Sequence, residues 1–132
     1  MIRRVVVTGR PGSGKSTYVR ENKEHGDLVW DFDAIIACML GAEMHERSGK
    51  WKPIVSMMSA LLDALVRWLK KNDLGRSFWI IRSDSNAAAD IAVYLGASIV
   101  VMDEDADTCL SRLRLDPARS SRMDQYRRLF GK

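Results

Sequence analysis

The stretch Gly9-Arg10-Pro11-Gly12-Ser13-Gly14-Lys15-Ser16 decides the fold, and Thr17 follows it. Each fixed position of the pattern G-x-x-x-x-G-K-[ST] is satisfied, and each has a physical reason. The glycines let the backbone fold tightly and turn its N–H groups inward, where they cradle phosphate oxygens. Lys15 supplies a point charge for the β- and γ-phosphates, and the Ser16 hydroxyl suits Mg²⁺. A helix that begins there adds the positive end of its dipole. The flanks agree. Val5-Val6-Val7 is a β-branched run with no polar alternation, as a central strand buried on both faces requires. Residues 15–23 suit a helix, which Gly26-Asp27 breaks.

Further along, residues 28–32 read as a second strand. Asp33 is a candidate N-cap for a helix over 34–40, which Gly41 ends. Residues 42–52 are polar and irregular and read as a mobile loop. From Pro53 to about residue 72 the apolar positions Ile54, Met57, Met58, Leu61, Leu62, Leu65, Trp68 and Leu69 follow the i, i+3, i+4 rhythm of a core-facing helix. Residues 78–81 form a third apolar strand and 98–102 a fourth. Helices are expected over 87–95, 106–115 and 122–130, with Asp116-Pro117 interrupting the last two. Strands that alternate with helices imply a three-layer α/β fold, its short parallel sheet of about four strands flanked by helices. In such sheets the site lies beyond the carboxyl ends of the strands. That rule selects residues 9–16, 31–33, 82–85 and 103–105.

Composition narrows the function. The 132 residues are 46% apolar, enough for a core, and the length suits one domain. No apolar run approaches the roughly 20 residues that span a bilayer. The apolar part of residues 1–7 is too short for a signal-peptide core, so the reading is cytoplasmic, without a membrane partner. Cys38 and Cys109 are too few for a disulfide scaffold and read as reduced core thiols. His25, His45, Glu43 and Glu46 lack zinc-ligand spacing and read as solvated, while Trp30 and Trp51 read first as packing residues and second as platforms for a base or a sugar. The net charge of +4 is localised: residues 110–132 carry seven basic side chains and two acidic ones. A local patch of this kind points to an anionic ligand, phosphates or nucleic acid, or else to a solvated helix face.

With its phosphate loop at residue 9, the chain resembles the small P-loop kinases, notably polynucleotide-kinase-like, zeta-toxin-like and gluconate-kinase-like members. It also resembles the short "AAA family ATPase" proteins of bacteriophage and prophage genomes. The likeness covers nearly the whole chain in element order, as a single P-loop nucleotide-binding domain over residues 1–132 with a lid-like segment near 105–121. It implies that Gly9, Arg10, Pro11, Gly12, Ser13, Gly14, Lys15, Ser16 and Thr17 bind ATP, with Mg²⁺ held at Ser16. In Val29-Trp30-Asp31-Phe32-Asp33 it implies an acidic pair whose first-choice acceptor base is Asp33, with Asp31 second. In Cys109-Leu110-Ser111-Arg112-Leu113-Arg114 and the residues beyond, it implies lid arginines: Arg112 and Arg119 first, Arg114 third. Guanidinium suits that work, because its planar fork bonds phosphate oxygens in pairs.

The chain departs from the family pattern twice. Arg82 stands where a carboxylate would normally follow the third strand; Asp84 comes two residues late, which leaves Asp31 to serve the metal. No fifth strand is legible after Arg119, which predicts weak discrimination among nucleotide bases. The implied function is transfer of the ATP γ-phosphate to an acceptor hydroxyl, a nucleic-acid or nucleotide 5′-OH being the favoured acceptor. The alternatives are an ATP-binding or ATP-hydrolysing accessory protein that regulates a partner, as in phage DNA processing, and a nucleic-acid-binding module with a vestigial loop.

Overall fold

The computed structural model describes residues 2–41, 52–116 and 119–131. Trp51, Glu43, His45 and Glu46, and most of the stretch read as a mobile loop, lie outside the described residues. Four strands form one sheet: β1 (Arg4–Gly9), β2 (Leu28–Asp31), β3 (Phe78–Ile81) and β4 (Ser98–Met102). Their spatial order is β2-β3-β1-β4, and every pairing is parallel. Around it stand α1 (Lys15–Asn22), α2 (Phe32–Leu40), α3 (Lys52–Lys71), α4 (Ser85–Leu95), α5 (Ala106–Leu115) and α6 (Met123–Leu129), with a short 3₁₀ turn at Ser120–Arg122.

The apolar strands are explained by two cores. Side chains alternate across a strand, so β1 sends Val5 and Val7 to one face and Val6 to the other. Val5 and Val7 meet Trp79 and Ile81 of β3 and Val19 of α1. Val6 meets Ile80, Leu62, Val66 and Leu69 of α3, and Ala88, Ala92 and Leu95 of α4. A third cluster, Leu110, Leu113, Met123 and Tyr126, joins α5 to α6.

Four local expectations are corrected. The buried line of α3 is Met58, Leu62, Val66 and Leu69, one residue every three or four. Met57, Leu61 and Trp68 are exposed although they fit the sequence rhythm. The apolar arc written in the sequence is wider than the single line with which α3 meets the sheet and α4. Asp33 is not the N-cap of α2: Asp31 is, and its carboxylate accepts from the Asp33 backbone N–H at 3.1 Å. With acids two residues apart, the cap goes to the one at the strand end. Likewise α4 begins at Ser85, because Asp84 accepts from the N–H groups of Asn86 and Ala87 at 3.0 and 3.1 Å. The cysteines differ as well. Cys109 is buried, as expected, whereas Cys38 is exposed.

The strand order brings all four carboxyl ends to one rim. β1 lies between β3 and β4, so the loop after β1 faces the ends of β2 and β3 on one side and the start of α5 on the other.

Candidate functional site

The loop between β1 and α1 is seated on α5. Gly12 has φ +81°, and a Cβ there would stand 2.7 Å from the Cys109 carbonyl oxygen. A Cβ on Gly9 would stand 2.6 Å from Ser13 Oγ and 2.8 Å from Met102 Cβ. Both positions therefore need glycine for space, and Gly12 also for its left-handed backbone. Within this loop Lys15 Nζ donates to the carbonyl oxygens of Gly9 and Arg10 at 2.8 and 2.9 Å. Lys15 is only 8% exposed. Burial, then repulsion from Arg119, lowers its pKa to about 8 against the opposing pull of Asp33 and Asp31.

At the helix start, the Ser16 hydroxyl donates to Asp31 Oδ2 at 3.1 Å, while Asp31 Oδ1 holds the cap of α2. One carboxylate thus ties α1 to the end of β2. Asp33, in the first turn of α2, stands 3.7 Å from Arg119 Nη2, and Arg119 Nε stands 3.6 Å from Asp116 Oδ2. Arg112 Nη1 donates to the Gly12 carbonyl oxygen at 3.1 Å and lies 4.0 Å from Glu104. The Arg10 guanidinium lies 5.7 Å from the Phe130 ring centroid, which places the segment after α6 beside the loop.

These elements enclose a cavity of about 660 Å³, within the range of small-ligand sites. Lys15, Ser16, Thr17, Asp31, Asp33, Arg112 and Arg119 all line it, together with Pro11, Gly12 and Gly14. Gly9, Arg10 and Ser13 do not: the first two hold Lys15 through their carbonyls, and Ser13 is buried beneath the loop. Arg114 does not line it either.

Several lining residues went unassigned in the sequence. Arg20 follows Ser16 by four residues, so helical spacing was its only signal. Arg122 and Tyr126 reach the cavity because α6 packs on α5, a tertiary fact. Arg82, flagged above as a departure, lines the cavity, and its Nε is buried without a hydrogen-bond partner. Lys15 and the five arginines face four carboxylates: Asp31, Asp33, Asp84 and Asp116.

The parallel order β2-β3-β1-β4, with a phosphate-type loop joining the first strand to the first helix, defines the P-loop NTPase fold. Among solved structures, the shikimate kinase from Acinetobacter baumannii in complex with shikimate is similar to this chain at a TM-score of 0.61 and 17% identity, over 98% of this chain and 74% of that one. No protein-family model matches the sequence, and no curated protein is significantly similar to it. Among the described residues no helix is long and apolar enough to cross a membrane.

Proposed function

We propose that the protein is an ATP-dependent phosphotransferase acting on an acceptor hydroxyl. The observation that supports this best is the convergence, in one cavity, of Lys15, the Ser16–Asp31 pair and the Asp33–Arg119 pair.

In this reading the loop N–H groups and Lys15 bind the β- and γ-phosphates, and Lys15 exchanges its contacts to Gly9 and Arg10 for phosphate oxygens. The Ser16 hydroxyl and Asp31 carboxylate, 3.1 Å apart, are a hard-oxygen pair suited to Mg²⁺. When bound, the ion would neutralise charge on the phosphates. Asp33 orients the acceptor hydroxyl and takes its proton as the acceptor oxygen bonds to the γ-phosphorus. The bond from that phosphorus to the bridging oxygen breaks, and ADP leaves with the electron pair. Arg119, beside Asp33, and Arg112, on the loop, stabilise the charge that develops.

A second reading, an ATP-binding or ATP-hydrolysing accessory protein, draws support from Arg82, a cation at the end of β3 where a carboxylate is usual. Incubation with γ-labelled ATP and an acceptor panel separates the two. The panel comprises 5′-OH oligonucleotides, nucleosides, sugars, small alcohols and shikimate, the compound bound by the similar kinase. Label on one acceptor class supports the transferase; label released only to water supports the accessory reading. The favoured acceptor remains a nucleic-acid or nucleotide 5′-OH, for which the arginine-rich rim provides complementary charge.

A further inference from the structure

Arg82 follows the last residue of β3, and its backbone N–H donates to the Val7 carbonyl oxygen at 3.0 Å, so the ladder with β1 continues one residue past the strand. Side chains alternate along such a ladder. Trp79 and Ile81 face α1, and Ile80 faces α3 and α4, so Arg82 falls on the Ile80 face. Trp30, the register partner of Ile80 in β2, packs on that same face. Asp31 alternates to the opposite face, where it accepts from Ser16 of α1. The rim thus has two sides. One holds the Ser16–Asp31 pair, which the proposed function gives to the metal and the triphosphate. The other holds Arg82 and Trp30, and both line the cavity. Since β3 stands between β1 and β2, Arg82 is one strand spacing, roughly 5 Å, from the turn that leads to Asp33.

The Arg82 Nε is buried, and among the described residues no group accepts from it. The carboxylates that share the cavity are engaged elsewhere. Asp31 holds Ser16 and the cap of α2, Asp84 caps α4, and Asp33 and Asp116 flank Arg119. A buried donor left without an acceptor costs stability, and the guanidinium fork matches an oxyanion that offers two oxygens. We propose that Arg82 binds an anionic group of the acceptor, a carboxylate or a phosphate ester, and so restricts the reaction to alcohols that carry such a group beside the hydroxyl that meets Asp33. This rests on the phosphotransferase reading and adds a substrate class to it. Trp30, on the same side, gives the acceptor's carbon frame an apolar wall. A neutral alcohol would fill the cavity and leave the guanidinium unpaired, so the site selects against it by the cost of that lost contact.

Arginine Nε–H resonances of the full chain test the binding directly, with the protein saturated by Mg²⁺ and a non-hydrolysable ATP analogue so that the phosphate loop is filled. The resonance missing from Arg82→Met is that of Arg82. It should shift saturably with methyl phosphate, with acetate or with both, and not with their neutral counterparts trimethyl phosphate and methyl acetate. Transfer from γ-labelled ATP is then compared within pairs: adenosine against adenosine 3′-monophosphate, and glycerol against glycerate. The charged member of a pair should be preferred by about 10–10²-fold in kcat/KM. Arg82→Met should erase that preference while the KM for ATP and the melting temperature hold. An Arg82 resonance that moves with neither anion overturns the proposal, and so does a variant that loses affinity for the ATP analogue instead. Label on neutral and charged members alike overturns it and leaves the transferase standing. Label released only to water, with the saturable shift present, supports the anion site and removes the transferase.

Discussion

Burial within the cavity lowers the pKa of Lys15 to about 8. With its pKa held near 8, the empty protein loses this cation as pH rises through that value. A triphosphate beside the ammonium favours its charged form, so binding above pH 8 draws a proton from solution. The expected outcome is net proton uptake on ATP binding at pH 8.5, read from titration calorimetry in buffers of different ionisation enthalpy, with affinity falling as pH climbs further. Stability runs the other way for this group. Its unfolded value is 10.5, so between pH 8 and 10.5 the unfolded chain holds the extra proton and the Lys15 contribution to stability rises with pH. Lys15→Ala should remove most triphosphate affinity while leaving the fold intact, measured by equilibrium binding and thermal melting. Asp33→Asn keeps the shape of the side chain and removes its basicity. It should lower phosphoryl transfer by about 10²–10⁴ with ATP binding retained. The residue scale also shows where sequence reading reaches its limit. The loop was legible because its eight residues are contiguous and each position has a separate physical demand. The ion pair between Asp33 and Arg119 was not, since nothing in local pattern tells a surface arginine from one folded back onto an acid in another element.

Elements explain why the site holds its shape. Asp31, Asp84 and Asp105 each end a strand-side loop by capping the next helix, so the rim is built from short, fixed turns. Removing one such cap costs about 0.5–2 kcal/mol. Asp84→Ala is therefore expected to lower the melting temperature by a few degrees without abolishing nucleotide binding, whereas Asp31→Ala should impair both, because Asp31 also accepts from Ser16. Gly12→Ala tests the seating of the loop on α5. The new Cβ meets the Cys109 carbonyl, so the loop must shift and triphosphate affinity should drop sharply, as measured by titration of the variant. Strand and helix identities were legible from apolar runs and breakers. The capping roles were less so: Asp31-Phe32-Asp33 offers two acids, and only the position of the strand end chooses between them. The width of the α3 stripe misled for a related reason, because periodicity shows which residues can face a core and not how much core there is.

For the whole molecule, the strand order sets the function-bearing geometry. Placing β1 centrally puts the loop, the acids after β2 and Arg82 after β3 on one rim, with α5 and α6 closing over it. The basic excess of the last part of the sequence acquires a location: Arg112, Arg119 and Arg122 line the cavity, while Arg114 does not. That places three of its guanidiniums around the loop proposed to hold phosphates. The base has less to hold it. Among the described residues the sheet ends at β4, and the Phe130 ring lies beside Arg10 of the loop. ATP, GTP and CTP are accordingly expected to bind with affinities within about tenfold of one another, a difference of ~1.4 kcal/mol, and a strong ATP preference in competition binding would count against this. The measurement that tests the central reading most directly is transfer of label from γ-labelled ATP across the acceptor panel, comparing the wild type with Asp33→Asn. The account predicts a labelled hydroxyl product that the variant does not form although it binds ATP. Label recovered only as inorganic phosphate, from both proteins alike, would contradict it.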